Sequence, residues 1–200
     1  MSRKPRKKPK PDPSPTVFVA DKYKAAIGQL ESAILLWFNE ADPISILVLA
    51  SNALDCYLAL GKKLGKPSWF REMMERWPPA LQERMTYIQD FAKHGFMDLE
   101  ESTPFETMAA PSFIIISVES HQNIFGGVTP LMVLFWTRAL TEFPQWMPSM
   151  HELPQIILQN GIIQEVSRGT RKECFDRFEA DLQTLPLAGL SRFNPTPWPS

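Results

Sequence analysis

With only two cysteines, three histidines and nine glycines in 200 residues, the chain lacks the raw material for several classes of protein. Cys56 and Cys174 stand alone, without CxxC or paired spacing, so a disulfide framework is excluded and both read as small buried hydrophobes in a reducing compartment. His151-Glu152 follows a proline loop, and no second histidine completes His-Glu-x-x-His, so the zinc-hydrolase motif is missing. There is no glycine-rich phosphate loop and no Gly-x-Ser-x-Gly elbow, which removes support for nucleotide hydrolysis and α/β-hydrolase chemistry. The apolar runs at Phe113–Ser117 and Leu131–Trp136 fall far short of the roughly 20 residues of a membrane span. No apolar segment of the secretory kind follows the N-terminal basic stretch. These features predict a soluble, cytoplasmic chain with no membrane partner, no cofactor and no metal.

Sustained period-two alternation is also absent, and Ile114–Val118 is the one stretch where a strand is arguable. Helical spacing is plentiful instead. Ile27, Leu30, Ile34 and Trp37, widened by Leu35 and Phe38, predict an amphipathic helix over about 21–40. Asp42-Pro43 reads as an N-cap with proline at the first helical position, opening a helix over about 44–64 closed by Gly65-Lys66-Pro67. Ala50, Ser51 and Ala53 would let another helix come close to its middle, and the two long helices should form an antiparallel hairpin. Ser68 caps a short piece to about Trp77. After Pro78-Pro79 a further helix carries Leu81, Met85, Ile88 and Phe91 down to His94.

Thr103-Pro104-Phe105-Glu106 reads as a capping box for the next helix, whose first turns Pro111 should kink or reset. Gly126-Gly127 ends that helix, Thr129-Pro130 opens another with Leu131, Leu134, Phe135 and Leu140 facing inward, and Pro144 and Pro148 stop it. Weaker helical patterns cover about 150–165 and 170–185. The expected fold is an all-α antiparallel helical bundle over 17–148, with a helical extension at 149–190 and a proline-rich tail at 191–200.

Charge is divided unevenly. Residues 1–10 hold Arg3, Lys4, Arg6, Lys7, Lys8 and Lys10 and no acid, so the formal charge of −1 splits into a basic tail and a remainder with 15 bases against 22 acids, or −7. Prolines interleaved through 1–16 forbid helix and leave nothing apolar to bury, so this tail should be disordered. It reads as a solvated tail or as an arm that contacts RNA or a protein partner.

The densest polar cluster is Asp90, Lys93 and His94. The i,i+3 and i,i+4 steps let one carboxylate hold both a cation and an imidazole. Lys and His in a last helical turn followed by Gly95 are equally what a helix C-terminus favours. His121, near Glu119 and Gln122, reads as a helix-surface residue. Asp42, Asp55, Asp90, Asp98, Glu100 and Glu101 are explained by caps and by a solvated loop rather than by a metal pocket. The aromatics Trp69, Phe70 and Trp77, and Trp136, Phe143 and Trp146, should be mostly core, with any surplus marking an association surface.

Several of these motifs together carry a resemblance. Gln29–Leu36, Asp42-Pro43-Ile44-Ser45, Gly61–Lys66, Asp90-Phe91-Ala92-Lys93-His94 and Asn123–Met132 resemble a bacterial family of uncharacterised proteins with a HEPN-like helical bundle, over about residues 23–145. The resemblance implies a homodimer paired through long helices. In nucleases of the HEPN type it also implies an Arg-x(4–6)-His element, in which histidine does acid-base work and arginine stabilises phosphate charge without a metal. Here Arg84 stands nine residues short of adjacency to His94, more than two turns away, and Asp90 occupies the place of the family's asparagine. The expectation is therefore a non-enzymatic HEPN-like module acting through protein or RNA. The rivals are a metal-independent ribonuclease using Asp90, Lys93 and His94, and a small-molecule site lined by Trp, Phe and Met inside the bundle.

Overall fold

The computed structural model describes residues 21–66, 68–93, 104–144 and 166–184. Those residues form seven α-helices and no strand: α1 (Lys22–Phe38), α2 (Pro43–Lys63), α3 (Trp69–Arg76), α4 (Pro79–Lys93), α5 (Ala109–Phe125), α6 (Pro130–Glu142) and α7 (Arg171–Thr184). The chain is thus an all-α bundle. The basic tail 1–16, the helical pattern at 150–165 and the tail 191–200 lie outside the described residues.

The first two helices begin where their caps dictate. The Asp21 carboxylate accepts from the Lys24 N–H at 2.7 Å, and Asp42 accepts from both the N–H and the hydroxyl of Ser45 at 2.8 and 2.7 Å. The connector of residues 39–42 is too short for anything but a reversal, so α1 and α2 pack antiparallel along their length. α2 is the central rod, flanked by α1 on one side and α5 on the other. The small residues do what their size allows: Ala50, Ser51 and Ala53 are fully buried, and α5 comes near enough for the Ser117 hydroxyl to donate to the Ala50 carbonyl at 2.9 Å. Leu30, Ile34, Trp37, Leu47, Leu54, Phe113, Ile114 and Phe135 fill the core, each stabilising it by about 1.5–3 kcal/mol through burial.

By length and composition α2 is apolar enough to cross a membrane, but half of its most apolar window is buried inside the bundle. Its greasiness is what a rod covered on two sides requires.

Three expectations need correction. Leu35 is 37% exposed, because the core stripe on α1 runs through Tyr23, Ala26, Leu30, Ala33 and Trp37 and leaves position 35 on its far side. Of the four apolar residues read on α4, Ile88 is buried, Met85 and Phe91 are half-buried and Leu81 is 39% exposed, because α4 sits at the edge of the bundle with α2 as its main neighbour. The helix after the acidic loop starts at Ala109 rather than at Pro104. Phe105 packs half-buried on the core and the Glu106 carboxylate pairs with Arg84 instead of closing a capping box. Pro111 falls in the first turn of α5, where a missing N–H has no intrahelical acceptor to lose, so it resets the start rather than kinking the helix. Ile114–Val118, the ambiguous stretch, is buried α-helix.

α5 ends at Gly126, whose φ of 74° is the left-handed conformation a helix stop uses and a side chain resists. Thr129 then caps α6 by accepting from the Met132 N–H at 3.3 Å. Residues 166–184 pack on the bundle, held by one nearly buried guanidinium. Arg138 of α6 donates to the carbonyls of Val166 at 2.7 Å and Gly169 at 2.9 Å, and to the Glu142 carboxylate at 2.7 Å. Glu142 also accepts from Arg171 of α7 at 2.7 Å, and the Arg171 guanidinium lies 4.1 Å over the Trp37 ring.

Candidate functional site

α4 remains helical through Lys93, so Asp90 and the Lys93 backbone keep the spacing read from the sequence, and Asp90 is exposed. The Lys93 side chain, His94, Asp98, Glu100, Glu101, His151, Glu152 and the cations Arg3 to Lys10 lie outside what the structure describes. Arg84, the nearest upstream arginine, is engaged with Glu106.

His121 is where the structure departs most from expectation. It is completely buried rather than on the helix surface. Positions 114, 117, 118 and 121 fall on one α5 stripe at steps of three and four, all of them buried, so the period itself carries the imidazole inward. His121 Nδ1 lies 3.2 Å from the Tyr57 hydroxyl, within hydrogen-bonding distance. The ring packs 5.3 Å from Tyr57, 4.9 Å from Phe125 and 6.4 Å from Tyr23, centroid to centroid. Burial pulls the His121 pKa down to about 4 and pushes the Tyr57 phenol up, so at neutral pH both partners are uncharged. The neutral His–Tyr pair enclosed by rings forms a polar seam in the core. It presents no base to solvent.

Beside this pair lies a cleft of about 290 Å³, counted to its open mouth and lined by Tyr57, Gly61, Ser68, Ser120 and Asn123 among others. It sits at or below the lower limit of small-molecule pockets, and its polar lining is neutral. Trp, Phe and Met do not line it.

Glu119, two residues before the buried histidine, is half-buried, with no hydrogen bond or counter-charge among the described residues. Desolvation alone raises its pKa to about 7. Asp42 is an N-cap, as its spacing predicted, and its bonds to Ser45 lower its pKa. Cys56 is half-buried and Cys174 buried, both free thiols. Among the described residues no group of three or more His, Cys, Asp or Glu converges on a point where a metal could bind.

The cations gather differently. The packing of Tyr23 against Phe125, at 4.4 Å between centroids, brings the start of α1 to the end of α5. Lys66, just past α2, donates to the Ile124 carbonyl at 2.9 Å on the same α5 terminus. Lys22 and Lys24 therefore share one end of the bundle with Lys62, Lys63 and Lys66, all five exposed. The sequence separates these two groups by some 40 positions, and the antiparallel pairing of α1 with α2 brings them to the same end.

The chain matches no known family model, no curated protein and no solved structure.

Proposed function

We propose that the chain is a non-enzymatic, HEPN-like helical module that acts in the cytoplasm by binding a macromolecular partner. The observation that carries this reading is the inward consumption of its polar chemistry. The one histidine the structure describes is sealed and neutral, the aspartates at helix starts are spent as caps, and the buried arginine is spent on holding α7. What lies outward on the described residues is charge and scattered apolar surface. The helical order and the Asp42-Pro43 start agree with the resemblance.

The test is incubation of labelled RNA with the wild-type protein and with His94→Ala, chelator present in both. Intact RNA in both samples is the expected result. Cleavage by the wild type that His94→Ala abolishes would overturn the reading in favour of the ribonuclease. What favours that second reading is the helical continuity of α4 up to Lys93, with Asp90 exposed four positions before His94 in the sequence.

A further inference from the structure

We propose that the cleft between α2, α5 and the start of α3 is a binding site for a primary carboxamide. The site adds a ligand to the binding module and stands whether or not a macromolecule binds elsewhere on it.

Three segments meet around the cleft. Tyr57, Leu58 and Gly61 share one stripe of α2, and Ser120, Asn123 and Ile124 share one stripe of α5. Gly65, at a φ of 64°, turns the chain after α2, and the Lys66 ammonium donates to the Ile124 carbonyl at 2.9 Å. That bond ties the connector to the end of α5, so Ser68, two residues on, closes the third side.

Gly61 is the residue the fold alone does not explain. It is buried in the last turn of a helix, where glycine is less stable than alanine, and its φ lies outside the left-handed region. A side chain has room there. A Cβ at position 61 would stand 3.6 Å from the end of the flexible Ile124 side chain and 3.8 Å from the Lys66 carbonyl, both ordinary contacts. Because Gly61 and Ile124 both line the cleft, a methyl between them would fill part of it. Glycine therefore keeps the cleft open at the expense of helix stability.

The lining sets the chemistry of the occupant. No charged side chain is among the described residues that line the cleft, so an ionised ligand would lose hydration without gaining a counter-charge. A purely apolar ligand would cover hydroxyls and leave them without water. Ser68 Oγ accepts from the Arg71 N–H at 3.2 Å and keeps its own proton to give, while the Ser120 hydroxyl makes no hydrogen bond among the described residues. These walls call for a small uncharged group that both donates and accepts. A carboxamide carries its donor and its acceptor on separate atoms of one plane, so it can meet Ser68 and Ser120 together, whereas a lone hydroxyl must serve both with one oxygen. At about 290 Å³ to its open mouth the cleft has room for such a group and not for a drug-sized ligand. The group can arrive as a free small amide or as an Asn or Gln side chain of a partner protein.

The test titrates the isotope-labelled full chain with acetamide and, separately, with acetate, following backbone amide shifts. Acetamide should give saturable shifts centred on Gly61, Ser68, Ser120 and Asn123, with a Kd of about 1 mM or weaker as its size dictates, and acetate should give none. Gly61→Ala should melt no lower than the wild type and lose the saturable shifts. Ser120→Ala should stay folded and bind about 2- to 10-fold more weakly, the net contribution of one hydrogen bond. A wild type without saturable shifts, acetate binding as well as acetamide, or full binding by Gly61→Ala overturns the site. A Gly61→Ala protein that melts lower than the wild type overturns the argument from glycine. N-acetylglutamine methylamide separates the two sources: binding tighter than acetamide assigns the group to a side chain of a partner protein, and its exclusion while acetamide binds assigns a free amide.

Discussion

Glu119→Gln should stabilise the protein at alkaline pH and leave it unchanged in acid. The carboxyl is half-buried beside the core, and no described group offsets its charge, so burial moves its pKa from the ordinary 4.5 to about 7. A group whose folded-state pKa is raised gives its full contribution below the unfolded value and loses it as pH climbs through the folded one. At about 1.4 kcal/mol per pH unit the gap corresponds to roughly 3 kcal/mol, and residual access of water to a half-buried side chain brings this to about 2 kcal/mol. Glutamine keeps the shape and removes the charge. Urea unfolding of both proteins at pH 4 and pH 8 reads the difference directly. His121 works in the opposite direction, since its lowered pKa makes the native state lose stability as pH falls from 6.5 toward 4. The wild-type profile therefore sums opposed titrations, the lowered Asp42 and Glu142 carboxyls also losing stability in acid, and only the variant-minus-wild-type difference isolates Glu119. A gap that stays constant between the two pH values, or a variant less stable at pH 8, would refute the reasoning by showing that the charged carboxylate has a partner.

Two further perturbations probe the packing. Arg138→Met strands the Val166 and Gly169 carbonyls and leaves Glu142 to Arg171 alone, so it should cost about 1–3 kcal/mol for each carbonyl left without a donor in thermal unfolding and raise hydrogen exchange across α7 before the rest of the bundle, whereas uniform exchange would deny the latch. Leu30→Ala should cost about 2–5 kcal/mol by leaving a cavity, while Leu35→Ala, with its side chain already 37% exposed, should cost markedly less; similar losses at the two positions would contradict the assigned face of α1.

Local chemistry was readable wherever a residue acts on its own neighbours. The caps at Asp42, Ser68 and Thr129, the stop at Gly126 and the small-residue stripe on α2 each appear where their spacing puts them, because a cap or a close approach depends on a few adjacent positions. Burial of an individual side chain was less legible. Leu35 and Leu81 look apolar enough for a core, but exposure depends on how many helices surround a given face, and α4 has few. His121 was misread for the opposite reason: its type suggested a surface while its period with Ile114, Ser117 and Val118 already marked the interior. The candidate trio gained only the exposure of Asp90 and the helical continuity to Lys93. The gathering of lysines at one end follows from the antiparallel pairing of α1 and α2 that the two helical patterns implied, whereas the arrival of the end of α5 there, through the Tyr23–Phe125 contact and the Lys66 cap, depends on long-range packing that no local pattern marks.

The start of α1 carries charge of the sign its own dipole disfavours. Lys22 and Lys24 stand at the first and third positions of α1, where a negative charge would be favoured by the dipole and a glutamate at position 24 could reach back to the Asp21 N–H. Lys22→Glu with Lys24→Glu should therefore raise stability by about 0.3–1 kcal/mol per site at low salt. Denaturant midpoints of the double variant and the wild type at low and at high salt decide the matter, since a dipole effect is screened. A double variant less stable than the wild type at low salt would show that the lysines serve the fold by contacts of their own and would refute the reasoning.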